Sequence, residues 1–156
     1  MNALDEIFGT SPDAESGGGI SLNYGPAGRF VIHRAGGSNR RYSKLMEAKL
    51  KPYTRQIQTN TMDEDVFREI QIEVFAKTII IDWEGVPDDD GGAREYTTEN
   101  VIDVLTRYPD LFADIRKAAD DRSLFLANAQ KVVEGNSQAA SAGKSSGARK
   151  RPGSKA

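Results

Sequence analysis

Acidic side chains crowd the middle of the chain: Asp82 and Glu84 flank the single tryptophan, Trp83, and Asp88-Asp89-Asp90-Gly91-Gly92 follows closely. Two chemistries use carboxylates at such spacing. The first is calcium binding. An EF-hand register that places Asp88, Asp90 and Gly91 at loop positions three, five and six puts Val86 at position one and Thr97 at position twelve, where a carboxylate and a glutamate are required. That loop fails, and the run reads as a solvated turn. The second is acid/base catalysis by a carboxylate pair, which requires a cleft that drives the two ionisations apart. Nothing in the sequence around Asp82 and Glu84 supplies one. His33 is the single histidine and cysteine is absent, which removes disulfides, thiol nucleophiles, thiolate sites and multi-histidine metal sites. His33 therefore reads as a strand residue and not as a base. Gly17-Gly18-Gly19 and Gly36-Gly37 lack the Gly-Lys-Ser/Thr of a phosphate loop and read as linkers and turns. The expectation is a protein that is not an enzyme, with no catalytic residue, no cofactor and no metal.

Side chains suited to contact remain. Trp83, Tyr108 and Phe112 are the aromatics expected to pack between helices or to meet a partner, and Trp83 would be an interface anchor if it were exposed. Arg40 and Arg41, with Lys44 and Lys49, are candidates for a charged contact. They and Arg149-Lys150-Arg151 can grip phosphates, but no recognition motif accompanies them, so nucleic acid is not expected as the main partner.

Charge is segregated along the 156 residues. Arg29 to Arg55 holds eight basic residues against one acid, a net of +7; Gln56 to Gly135 holds eight against eighteen, a net of −10; the last 21 residues hold five and no acid. Blocks of this kind favour complementary contacts within the chain or between copies, so self-association is among the expectations. No apolar run reaches the roughly 18 to 20 residues of a membrane span, and the first residues lack the basic start and apolar stretch of a signal peptide. A cytoplasmic protein without membrane contact is expected.

The elements that must position these residues follow from pattern. Residues 1–19 carry one short apolar patch, Leu4, Ile7 and Phe8, before a Gly/Ser/Pro-rich stretch, and read as a flexible N-terminal segment. Residues 136–156, rich in Ser, Ala, Gly and Lys/Arg, read as a disordered basic tail. The interval 20–135 reads as one folded domain. It opens with a hairpin over 20–34, in which Ile20, Leu22 and Tyr24 alternate with Ser21 and Asn23, Gly25-Pro26-Ala27-Gly28 makes the loop, and Arg29-Phe30-Val31-Ile32-His33 returns. Ser38 or Asn39 caps a helix over about 38–51 that Pro52 stops. Thr61 or Asp63 caps a helix over about 62–82 with two apolar stripes, so it should be covered from two sides. Its β-branched run Thr78-Ile79-Ile80-Ile81 also fits a strand. Thr97 or Thr98 caps a helix over 98–107, and a last helical stretch covers 110–134, with a break near 120 where Arg122 interrupts the apolar face. The fold class is mainly α: a small helical bundle with an N-terminal β-hairpin and disordered termini.

The order Trp83, Gly85, Val86, Asp90, Gly91, then Tyr96, Asn100, Pro109, Leu111 and Phe112, within a pattern running from about Leu22 to Val133, resembles the tail assembly chaperones of long-tailed bacteriophages. The resemblance implies a host-cytoplasmic protein that binds the tape measure protein, helps to recruit tail tube subunits, and is absent from the mature virion. A longer frameshifted product often accompanies the short one in that family. The Gly-rich start and the basic Ala/Ser/Gly tail depart from its usual pattern, so partner contacts of those ends do not carry over. The alternative expectation is a structural virion component, a head-tail connector or minor tail protein.

Overall fold

The computed structural model describes residues 2–129. Within them the order is α1 (Ala3–Phe8), α2 (Pro12–Ser16), β1 (Ile20–Asn23), β2 (Arg29–Ile32), α3 (Arg40–Leu50), α4 (Thr54–Gln58), α5 (Glu64–Thr78), β3 (Ile80–Glu84), α6 (Thr98–Arg107) and α7 (Pro109–Ala119), with 3-10 turns at Gly25–Ala27, Lys51–Tyr53 and Arg122–Phe125. The protein is mainly α with a small antiparallel sheet in the order β1-β2-β3.

The expected hairpin forms, with Ile20 opposite Ile32 and Leu22 opposite Phe30. Its inner residues Phe30 and Ile32 are fully buried. The expected helix over 62–82 is corrected. Asp63 caps α5 by accepting the amides of Asp65 and Val66, but the helix ends at Thr78 and the chain becomes β3. The reason lies in the β-branched run at its end, which loses side-chain freedom in a helix and packs well on a pleated surface. The exposed edge of β2 offers that surface, and Phe30 pairs with Trp83 across a register shift at Val31 and Ile32. Ahead of the strand, the two stripes of α5 are both covered, since Ile70, Ile72, Val74, Phe75 and Ala76 are all buried.

A second correction concerns Pro52. α3 does end at Leu50, but Pro52 sits at the start of the 3-10 turn Lys51–Tyr53, where a missing amide proton costs nothing, and the chain turns on into α4. Asn39 precedes α3 without capping it through its side chain. Its buried amide instead donates to the carbonyl oxygens of Arg34 at 2.9 Å and Thr78 at 3.0 Å, tying the hairpin exit to the end of α5. Glu73 adds a pin between α3 and α5, accepting Lys49 at 2.8 Å and Lys77 at 2.7 Å. These two cations, Lys49 first, hold its carboxyl below the usual range.

The third correction is the segment 1–19, expected to be flexible. Ser11 caps α2 through its hydroxyl, Ala14 and Glu15 are buried, and Glu15 pairs with Arg34 while accepting the amide of Ser38. Thr10 bridges Leu126, with Ser11 donating to the Phe125 carbonyl and Ala127 to that of Gly9. The apolar area of this segment, Leu4, Ile7 and Phe8, is exposed and does not order it. What orders it is the buried charge of Glu15, whose partner Arg34 lies nineteen residues away in the hairpin exit.

α6 spans Thr98–Arg107 and is capped by the Thr97 hydroxyl, as its local sequence dictates. The last helical stretch breaks after Ala119, where Asp121 caps the 3-10 turn Arg122–Phe125. The expectations for 130–134 and for the basic tail 136–156 lie outside the described residues. Two chains of edge-to-face aromatics run through the core. Tyr24, Phe30, Trp83 and Tyr96 follow one another at 5.6 to 5.7 Å between centroids. Tyr42, Phe75 and Phe112 follow at 5.4 to 6.0 Å.

Candidate interaction surface

Trp83 shows what the β3 register accomplishes. The register shift against β2 lets both Ile80 and Trp83 point inward, and Trp83 is 6% exposed between Phe30 and Tyr96. Its indole Nε1–H donates to the Arg94 carbonyl at 2.9 Å, and the Tyr96 hydroxyl donates to the Ile80 carbonyl at 2.7 Å. Burial first, then the charge of Asp82, raises the Tyr96 hydroxyl pKa. The loop 85–97 is thereby stapled across the end of the sheet. Within it Asp88 is spent on the turn, accepting the amides of Asp90 and Gly92. Gly91 adopts φ +87°, which a side chain would resist. Among the described residues no group of three or more His, Cys, Asp or Glu side chains is placed to hold a metal.

The stapled loop forms one wall of an apolar groove of about 420 Å³. Phe30 and Val104 line it, Val86 and Pro87 come from the loop, Tyr24 from the hairpin, and Tyr108 and Leu111 from the α6–α7 corner. Gly28, at φ +106°, brings the hairpin loop against Val86 so closely that a Cβ would stand 2.8 Å from the Val86 amide nitrogen. Tyr24 is fixed by donating its hydroxyl to Asp114. Burial, and then that carboxylate, drive its pKa up. The rim is charged. Arg94 and Arg107 each pair with both Asp89 and Asp103. Arg107 first and Arg94 second hold the Asp89 carboxyl below its ordinary range. Asp110 and Asp114 extend the rim, so four carboxylates face two guanidinium groups.

The five residues singled out in the sequence are not brought to one place. Trp83 and Phe112 are buried, the latter against Phe75 with the Arg116 guanidinium 4.9 Å over its ring. Tyr108 is 48% exposed at the groove mouth, with Arg107 over its ring at 5.7 Å. Arg40 and Arg41 are exposed on α3, where Arg41 donates to the Lys77 carbonyl at 2.7 Å. Sequence reasoning missed Arg94, Tyr24 and the Glu15–Arg34 pair, since each acts on partners distant in sequence. His33, expected on a strand face, lies just beyond β2 and is buried, with Nε2 2.7 Å from the Gly17 carbonyl. That carbonyl can only accept, so Nε2 carries the proton.

Fold and groove together define an α-rich module with a small antiparallel sheet and an apolar groove. The chain belongs to the family of YdaY prophage proteins, whose model matches residues 37–136. It is therefore a phage-derived protein. The match takes in α3 to α7 and leaves α1, α2 and the hairpin outside it. No curated protein and no solved structure matches the chain.

Proposed function

We propose that this prophage protein is a non-catalytic tail assembly chaperone that binds the tape measure protein and helps to recruit tail tube subunits during tail morphogenesis. The observation that carries the reading is the groove. Its floor is apolar, its mouth holds a half-exposed tyrosine, and around it Asp89, Asp103, Asp110 and Asp114 outnumber Arg94 and Arg107. Such a surface accepts the apolar face of an amphipathic helix whose flanks are basic, anchored at i, i+3 and i+4. The partner that the resemblance implies, a tape measure protein, is long and helical, and a helix is the element that can present such a face. The family membership supports a phage role, and the ordered residues from Trp83 to Phe112 support the chaperone reading by resemblance.

A chaperone acts and leaves. Quantitative mass spectrometry of induced lysates and of purified mature particles should find the chain in the first, in complex with the tape measure protein, and not in the second. Stoichiometric presence in mature particles would make it a structural virion component instead.

A further inference from the structure

The groove has a second surface that matches it, and this one belongs to the protein itself. From Arg40 to Gln58 the chain carries six basic residues against the single acid Glu47, a net of +5. α3 and α4 contain no buried residue. Together they form a concavity edged by Lys44 and Lys51, with Leu50 and Ile57 in its lining. Ile57 is 44% exposed. Outside α1, the large apolar side chains most exposed among the described residues are Ile57 and Tyr108, one on the basic face and one at the acidic groove. At the groove, Asp110 in the lining, Asp89 and Asp103 on its two arginines and Asp114 on Tyr24 stand against Arg94 and Arg107, a net of −2. Both α3 and α6 pack on α5, and neither lines the other's concavity.

We propose that the α3–α4 face of one copy occupies the α6–α7 groove of the next, so that free copies associate head to tail and hold the groove closed until a competing helix displaces the neighbour. Charge complementarity selects the second copy as occupant, since the basic face is itself a helix pair with apolar residues between cations, which is the ligand chemistry the groove demands. Such a contact is heterologous. It leaves one free face of each kind at the ends and propagates unless its rotation closes a ring. The inference deepens the chaperone reading by regulating the same groove, while the self-contact stands whatever the eventual competitor is.

Its test uses two full-length variants. Lys44→Glu with Lys51→Glu reverses the basic face and leaves the groove intact. Tyr108→Ser with Asp110→Ser strips the groove mouth of its ring and its carboxylate and leaves the basic face intact. Circular dichroism establishes that each is folded, and sedimentation equilibrium reads the mass. The wild type should associate at low salt and dissociate towards ~1 M salt, where screening shortens to ~3 Å. Each variant alone should be monomeric. Their equimolar mixture should form a 1:1 dimer and nothing larger, because only one complementary pair of faces survives. A mixture that stays monomeric overturns the proposal, as does a variant that associates alone like the wild type. A wild type that is monomeric at low salt, or that binds duplex DNA through the α3–α4 face in preference to itself, overturns it too. None of these results touches tape measure binding, which the monomeric basic-face variant can still display.

Discussion

Trp83 and Glu15 are the side chains whose loss tests the account most sharply at the residue scale. Trp83 is enclosed by Phe30, Tyr96 and the Arg94 carbonyl. Truncating a buried aromatic removes its transfer energy and leaves a cavity, so Trp83→Ala should cost about 3–5 kcal/mol in urea unfolding. Trp83→Phe keeps most of the ring but leaves the carbonyl without its donor, and should cost about 1–3 kcal/mol. As the single tryptophan, it should emit in the blue when native, and a red, readily quenched emission would place it at the surface instead. Glu15 works through charge. Burial alone would raise its pKa, but Arg34, the Ser38 amide and hydroxyl and the Thr10 hydroxyl outweigh burial and lower it below the ordinary 4.5. Because folding depresses this pKa, the unfolded chain binds the proton more readily. The stabilisation is complete above about 4.5 and is lost as pH falls through the folded value. Glu15→Gln should lose about 1.5–3 kcal/mol at pH 7 and flatten the acid limb of the stability curve. An unchanged acid limb would mean that the pair contributes nothing.

At the scale of elements, the N-terminal segment is the part whose role the structure changed most. It contributes Ala14 and Glu15 to the interior and holds the chain around Phe125 and Ala127. Deleting residues 2–18 should therefore lower the melting temperature by roughly 10 °C, given about 3 kcal/mol lost and a few degrees per kcal/mol for a domain of this size. A melting curve that superimposes on that of the full chain would return the segment to a flexible role. What the sequence disclosed about elements follows from the range of the forces involved. Capping and turn chemistry act over three or four residues, which is why Thr97 marks the start of α6 and Asp121 the break after α7. β3 was harder to read because Ile79, Ile80 and Ile81 satisfy a helix period as well as a strand period, and only the free edge of β2 decides between them. The site was legible in kind but not in placement. Trp83, Tyr108 and Phe112 stand out as aromatics, yet which of them reaches solvent depends on the β3 register and the α6–α7 corner. The partners of Arg94 and Tyr24 become visible only once the sheet brings distant residues together.

At the scale of the whole molecule, charge and shape agree. The basic α3–α4 face and the groove between the loop 85–97 and the α6–α7 corner are joined through α5, on which α3 and α6 both pack, and the groove is apolar within. No helix among the described residues is long and apolar enough to cross a membrane. The central claim is that the groove holds an amphipathic segment of the tape measure protein. The direct measurement is calorimetric titration of a tape measure fragment from the same prophage into the wild type and into Tyr108→Ala, whose exposed ring can be removed without opening the core. The account predicts saturable binding by the wild type and an affinity at least tenfold weaker for Tyr108→Ala, a loss of about 1.4 kcal/mol or more, as expected for an aromatic at an interface centre. No heat with the wild type across fragments spanning the whole tape measure protein would contradict it, and equal affinity for the two proteins would remove the groove as the site.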